Sequence, residues 1–185
     1  MAWEERIFDL FDDLEQQAGA LFEAERGEEV AERARAEYGA VSLAARLMAA
    51  VGEEVTLGLE GVGTVAGRLA RVAEGWCLLA APGQEWVMPL PAVQVVRGLP
   101  ARAVPEEAWP VTARLGLGSA LRRVAEEQGE CRLRLRDGTR YDARLGRVGK
   151  DFIEACVGDH REAVVVAFTA LAAVHHDVGD RTPEG

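Results

Sequence analysis

The sequence predicts an α+β chain in which an N-terminal pair of helices precedes two tandem five-stranded small barrels. Apolar residues recur at helical spacing within residues 1–51, and they alternate with polar residues from Val55 onward. The pentapeptide Arg-Leu-x-Arg-Val occurs twice, beginning at Arg68 and again 76 residues later at Arg144. The alternation predicts strands, and the repetition predicts that the strand-forming unit is duplicated.

The composition sets limits on the class of protein. The chain has 185 residues, a formal net charge of -10 and 28% charged residues, which fits one compact domain or two small ones. Apolar runs fall short of the ~18 residues needed for a membrane-spanning helix. The N-terminus is acidic where a signal peptide would be basic. We therefore expect a cytoplasmic protein with no membrane partner.

The sequence provides little for catalysis or metal binding. Cys77, Cys131 and Cys156 are odd in number and lack C-x-x-C spacing, so neither a disulfide framework nor a zinc site is expected. His175 and His176 are adjacent on a predicted strand and point to opposite faces, which disfavours joint chelation of one ion. We predict no catalytic residues, no metal, no cofactor and no small-molecule substrate, and hence not an enzyme.

The N-terminal helices offer a surface for association. An apolar seam at alternating spacings of four and three follows the first helix, and it consists of Ile7, Phe11, Leu14, Ala18 and Leu21. The second helix is predicted over about 28–51. Two such helices can form an intramolecular hairpin, pack on the following barrel or pair with a second chain. The acidic polar face disfavours a membrane surface.

The duplicated unit sets the domain boundaries. We predict a helical segment over 1–51, a first barrel over 52–97, a Pro-containing connector over 98–118, a second helix-plus-barrel repeat over 119–176 and a disordered tail over 177–185. Ser119 is a candidate N-cap, and Asp137-Gly138 is typical of a hairpin turn. We expect Trp109 in the connector to pack against one barrel.

The second repeat carries a family-like signature. A short helix is followed by Leu133-x-Leu135-x-Asp137-Gly138-Thr139 and then by Ala143-x-Leu145-x-x-Val148-Gly149. This pattern resembles Sm-like proteins, small SH3-like barrels that include Sm and LSm proteins and the bacterial RNA chaperone Hfq. The resemblance implies barrel repeats that pair through edge strands, and it implies RNA as a candidate partner. Two such repeats in one chain are expected to pair with each other, which favours a monomer or a dimer. The family's Lys-His pair at the uridine site is replaced here by Leu90-Pro91 and Phe168-Thr169.

An arginine-rich surface is predicted on the second repeat. We define this arginine face by six residues on a predicted hairpin, namely Arg132, Arg134, Arg136, Arg140, Arg144 and Arg147. Guanidinium groups at cross-strand positions are suited to phosphates or carboxylates. The simpler interpretation is a solvated strand face whose arginines pair with Asp142, Glu130 and Glu154. A third is that this face docks the acidic helices.

The sequence favours a non-enzymatic interaction or assembly module, in which the helices mediate association with a protein partner or with a second copy, as in a dimer. The alternative is an RNA- or nucleic-acid-binding regulatory protein that uses the arginine face. The acidic net charge lowers the expectation of nucleic-acid binding, because phosphate contacts supply most non-specific affinity.

Overall fold

The structure is a computed structural model that describes residues 26, 32–127, 129–158 and 160–177. The chain divides into two units, 1–41 and 42–185. In the first unit, residues 32–39 are helical. The predicted association seam Ile7, Phe11, Leu14, Ala18 and Leu21 lies outside the described residues, as does the predicted tail after Asp177.

The second unit consists of ten strands with short helices before each group of five. The first group comprises α1 (Leu43–Met48), β1 (Glu54–Leu59), β2 (Gly63–Ala73), β3 (Trp76–Ala81), β4 (Gln84–Pro89) and β5 (Val93–Arg97). The second comprises α2 (Leu117–Glu126), β6 (Glu130–Leu135), β7 (Arg140–Val148), β8 (Phe152–Val157), β9 (Glu162–Ala167) and β10 (Leu171–Asp177). Single 3₁₀ turns span Leu90–Ala92, Glu106–Ala108 and Val111–Arg114. All ten predicted strands are therefore found.

The predicted pair of closed barrels is wrong. The ten strands form one open antiparallel sheet in the order β5-β1-β2-β3-β4-β10-β6-β7-β8-β9. A closed five-stranded barrel would need β4 to pair with β5 of the same repeat. Instead β4 pairs with β10, the last strand of the other repeat, with Val87 opposite Val174 and Trp86 opposite His175. The two repeats thus pair with each other, as expected, but as neighbouring parts of one sheet.

The two hydrophobic cores lie on opposite faces of the central strands. Adjacent residues on a strand point to opposite faces, and Val87 and Val174 belong to the core that contains α2 residue Leu121. Trp86 and Ala173 belong to the core that contains α1 residue Leu47. The centre of the sheet is therefore buried on both sides, and the cores of the two repeats share its strands.

Register shifts let the sheet curve around each core. One occurs in β2 between Leu69 and Arg71, and the corresponding shift in β7 lies between Leu145 and Val148. An extra residue in one strand of an antiparallel pair bends that strand and increases its twist. The bends keep Leu69 and Leu145 directed into their own cores.

In the described residues, the predicted N-terminal helical pair is not found, and the second predicted helix, over about 28–51, is interrupted. Within the described part of 1–51, the helical stretch at 32–39 is separated from α1 by a break at 40–42. Ser42 begins the new helix, because its side chain accepts a hydrogen bond from the Ala45 amide at 3.1 Å. In the second repeat α2 begins at Leu117 after Gly116, with no side-chain cap, so the expected N-cap at Ser119 is wrong.

The connector is docked on the first repeat. The Trp76 indole donates to the Leu115 carbonyl at 2.6 Å, and the Glu74 amide donates to the Ala113 carbonyl at 2.8 Å. The Arg46 guanidinium donates to the Pro100 carbonyl at 2.6 Å. Trp109 folds back within the connector, since its indole donates to the Val104 carbonyl at 2.9 Å. These hydrogen bonds fix the start of α2 relative to β3.

The β1–β2 turn touches the start of the β6–β7 turn. Gly61 has a φ of +69°, and a Cβ there would lie 2.5 Å from the carbonyl oxygens of Leu135 and Arg136. Both obstructing atoms are backbone and cannot swing away. The Arg136 guanidinium also donates to the Glu60 carboxylate at 2.6 Å. This turn contact is thus a second junction between the repeats, besides the pairing of β4 with β10.

We expect Gly61→Ala to destabilise the chain more than Gly63→Ala. Both glycines have positive φ, a conformation that costs an L-residue about 1 kcal/mol or more. At Gly63 an added methyl meets no atom within 4 Å, whereas at Gly61 it collides with backbone. The collision should cost roughly a further 1–3 kcal/mol, which urea denaturation would measure. Equal losses in the two variants would contradict the close contact of the turns.

Candidate functional site

The arginine face is positioned by strands β6 and β7. Their odd-numbered residues Cys131, Leu133, Ala143 and Leu145 are buried, so that even-numbered residues point outward. Across the two strands, Glu130 lies opposite Arg144, Arg132 opposite Asp142, and Arg134 opposite Arg140. Two of these three rows combine an acid with a base, and the third places two guanidinium groups side by side.

Carboxylates compensate half of the predicted arginine face. The Arg132 side chain lies 3.3 Å from an Asp142 carboxylate oxygen. Arg147 donates to both carboxylate oxygens of Glu154, at 2.9 and 3.1 Å. These partners match the solvated-face interpretation. Arg136 pairs with Glu60 of the first repeat at 2.6 Å.

Arg134 and Arg140 form the least compensated part of the face. The Nε atom of Arg134 is buried and has no hydrogen-bond partner among the residues that the structure describes. Burial, together with the neighbouring positive charges of Arg140 and Arg132, lowers the pKa of Arg134. Both observations indicate that the positive charge at this point lacks a counterion within the described chain.

These arginines border a concavity between β6, β7 and β10. It has a volume of about 330 Å³, and its lining consists of Arg132, Arg134, Arg140, Tyr141, Asp142 and His175. We call it the β6–β7 concavity. Arg144 lies outside it and borders a neighbouring concavity together with Glu130 and Arg161. The structure therefore brings Arg132, Arg134 and Arg140 together and places Arg144 at a different concavity.

The stacked pair of Trp86 and His175 was missed by the sequence reasoning. The two rings lie 3.9 Å apart, nearly parallel, across the β4–β10 junction. His175 is 3% exposed, and His176 points the other way, towards Glu85 at 3.9 Å. The paired histidines thus face opposite sides, as predicted. No local signal identifies the stack, because its partners come from different repeats.

A second concavity lies between the first repeat and α2. Its volume is about 470 Å³, and its walls are largely apolar, formed by Trp76, Leu78, Val87, Leu115, Ala120 and Val124. Charged side chains border its mouth, among them Arg71, Glu85 and Arg123. It forms where one face of β3 and β4 meets α2 of the second repeat.

Comparisons with known proteins do not identify a family. A scan against family models found none that matches this chain, and a search of curated proteins found no match either. The resemblance to Sm-like proteins therefore stays a prediction.

In the described part of the chain, no helix is both long and apolar enough to cross a membrane. Groups of three or more His, Cys, Asp or Glu side chains suited to a metal ion are not found among those same residues.

The three cysteines should differ sharply in reactivity. Burial raises the pKa of Cys77 to about 12 and that of Cys131 to about 11, whereas the Cys156 side chain is exposed. Because the thiolate is the reactive form, both buried groups stay protonated and shielded at pH 8. We expect Ellman's reagent to titrate one thiol in the native protein and all three in guanidinium chloride. Rapid native labelling of a Cys156→Ser variant would contradict this assignment.

Proposed function

We propose that this chain is a non-enzymatic assembly module whose copies associate edge to edge through β5 and β9. In the described part of the chain, these two strands end the sheet and each has one neighbour. An unpaired edge presents a row of free amide and carbonyl groups that can template pairing with another chain. The predicted helical seam lies outside the described residues, so the proposal rests on the sheet edges alone.

The internal junction supplies a template for this association. The last strand of the first repeat, β5, corresponds to the last strand of the second repeat, β10. Their first residues, Val93 and Leu171, are 78 positions apart. By the same offset Gln84 of β4 matches Glu162 of β9. The two free edges are thus the repeat counterparts of the two strands that pair inside the chain. A β9 edge of one copy suits a β5 edge of another.

The observation that carries the proposal is the exposure of Val165. Its counterpart Val87 is 5% exposed, because at the internal junction it packs in the core that contains Val174 and Leu121. Val165 is 68% exposed. Val165 is thus an apolar side chain exposed to solvent on the free edge, whereas the internal junction buries the residue at the matching position.

Neither edge strand carries a lysine, and β5 has one bulge, at Gln94, as its counterpart β10 has at Ala172 while still pairing with β4. Natural edge strands are protected by lysines, prolines, inward-pointing charges or bulges. From Ala163 to Ala167, β9 has no charged residue and no proline, and β5 has a single charge at Arg97. Val95 on β5 is also 47% exposed. Both edges therefore combine apolar side chains with accessible backbone.

The association is expected to be head to tail. Since the two edges are different surfaces, a contact between β9 and β5 leaves one free edge on each copy of a pair. Transferring the internal register places Val165 opposite Val96, and Val164 opposite Arg97. The copies then form a closed ring or an open filament, depending on the rotation that relates successive copies.

Nucleic-acid binding by the whole arginine face has weaker support. Three of its six guanidinium groups are engaged by Asp142, Glu154 and Glu60. Competing with these carboxylates reduces the gain from phosphate contacts.

We expect Val165→Lys to lower the mass of the assembly to that of one chain. A charge in the middle of β9 opposes edge pairing, and an exposed site tolerates it at a cost of about 0.5 kcal/mol or less. Light scattering after size exclusion, over a series of concentrations, measures the mass. The matched control is Val111→Lys, since Val111 is 82% exposed but lies in a 3₁₀ turn away from both edges. A wild-type mass equal to one chain at every concentration would refute the proposal.

The register can be tested by cross-linking between copies. In a Cys156→Ser background, a Val96→Cys chain is mixed with a Val165→Cys chain and oxidised. Directly opposed residues have Cα atoms about 4.5–5.5 Å apart, within disulfide reach. We expect a covalent heterodimer on a denaturing gel. Replacing Val96→Cys by Val93→Cys shifts the thiol by three residues, roughly 10 Å, and should abolish it. Equal yields from both mixtures would contradict the register.

A further inference from the structure

We propose that the β6–β7 concavity binds a dianionic phosphate group, held by Arg134 and Arg140. The ligand is inorganic phosphate or the phosphate of a small monoester. This inference is independent of the assembly proposal, because the concavity lies on strands β6, β7 and β10 and uses neither free edge.

The first argument is the repulsion between the two arginines. Arg134 and Arg140 are directly opposite each other in the β6–β7 ladder. Cross-strand neighbours have Cβ atoms about 5 Å apart, and like charges at such positions destabilise a sheet. The other two outward-facing rows of the same ladder pair an acid with a base. A bound dianion between the two guanidinium groups turns this repulsion into attraction.

The second argument is the unsatisfied donor. The Arg134 Nε atom is buried without a hydrogen-bond partner in the described chain. A buried charged donor left unpaired is costly, and a ligand that accepts from it recovers that cost. The planar guanidinium fork presents donors in a geometry that matches the oxygens of a phosphate group.

The third argument is the local charge. The lining includes Arg132, Arg134 and Arg140 against a single carboxylate, Asp142, which lies 3.3 Å from Arg132. Arg134 and Arg140 stand opposite each other, and a phosphate dianion carries two negative charges to meet both guanidinium groups, whereas a carboxylate carries one. Asp142 repels anions at one side of the concavity, so the ligand belongs at the Arg134–Arg140 side.

The volume of the β6–β7 concavity is large enough for a phosphate group and for a further moiety attached to it. About 330 Å³ corresponds to roughly ten water molecules at about 30 Å³ each. A phosphate group fills part of this space, and the remainder admits the moiety that a monoester carries.

Calorimetric titration of the full chain with inorganic phosphate, adenosine 5′-monophosphate and adenosine tests the proposal. Ionic strength is matched with sodium chloride, because surface anion binding is screened by salt. We expect saturable binding of inorganic phosphate, of the monoester or of both, and none of adenosine. Equal affinities for the two phosphates identify free phosphate as sufficient, and tighter binding of the monoester identifies an ester. Absence of binding by both overturns the proposal.

The variants Arg134→Gln and Arg140→Gln should each weaken phosphate binding roughly 10- to 100-fold, the range for losing a hydrogen bond to a charged group. Arg144→Gln is the matched control, because it makes the same charge change on the same face of β7 outside the concavity. It should retain wild-type affinity within about twofold. Equal weakening by all three variants would indicate a diffuse basic surface and overturn the proposal.

Thermal unfolding supplies a second readout. Without phosphate, Arg140→Gln should unfold at a higher temperature than wild type, because the repulsion with Arg134 is removed. Adding phosphate should raise the unfolding temperatures of wild type and of Arg144→Gln by the same amount, and that of Arg140→Gln by less at every phosphate concentration. A lower unfolding temperature of Arg140→Gln in phosphate-free buffer would contradict the repulsion on which the site depends.

Discussion

The pairing of β4 with β10 is the constraint on which the rest of the structure depends. It joins the two repeats into one sheet and places a different core on each face of the central strands. Every side chain from Leu171 to Val174 is therefore buried, whichever way it points. Trp86 and His175 stack across the same junction. Separating the repeats would expose apolar surface from both cores at once, so neither half is expected to be stable alone.

The sequence predicts strands well and their partners poorly. Alternation and glycine-containing turns located all ten strands, because both are local signals. Closure of a repeat on itself and pairing with the other repeat satisfy the same alternation, so the pattern cannot choose between them. One signal favoured the observed sheet. Leu171-Ala172-Ala173-Val174 is a continuous apolar run, typical of a strand that is buried on both faces.

In the candidate site too, features set by residues close in sequence were predictable, and features set by distant residues were not. Alternation on β6 and β7 was sufficient to place Arg132, Arg134 and Arg140 outward. The partners Asp142 and Glu154 are near enough in sequence to be anticipated. Glu60 could not be anticipated as a partner from the sequence. It contacts Arg136 because the turns of the two repeats touch. The concavity likewise depends on β10, whose position beside β6 no local pattern reveals.

The ion pair between Glu60 and Arg136 has a consequence for how the chain is built. The two residues are 76 positions apart, which is the offset of the duplication, so they occupy the same place in their respective repeats. Two identical repeats would bring two like side chains together there. Divergence of this position into opposite charges makes the contact attractive between unlike repeats only. A first repeat is therefore matched to a second repeat, and two copies of the same repeat would repel each other at this contact.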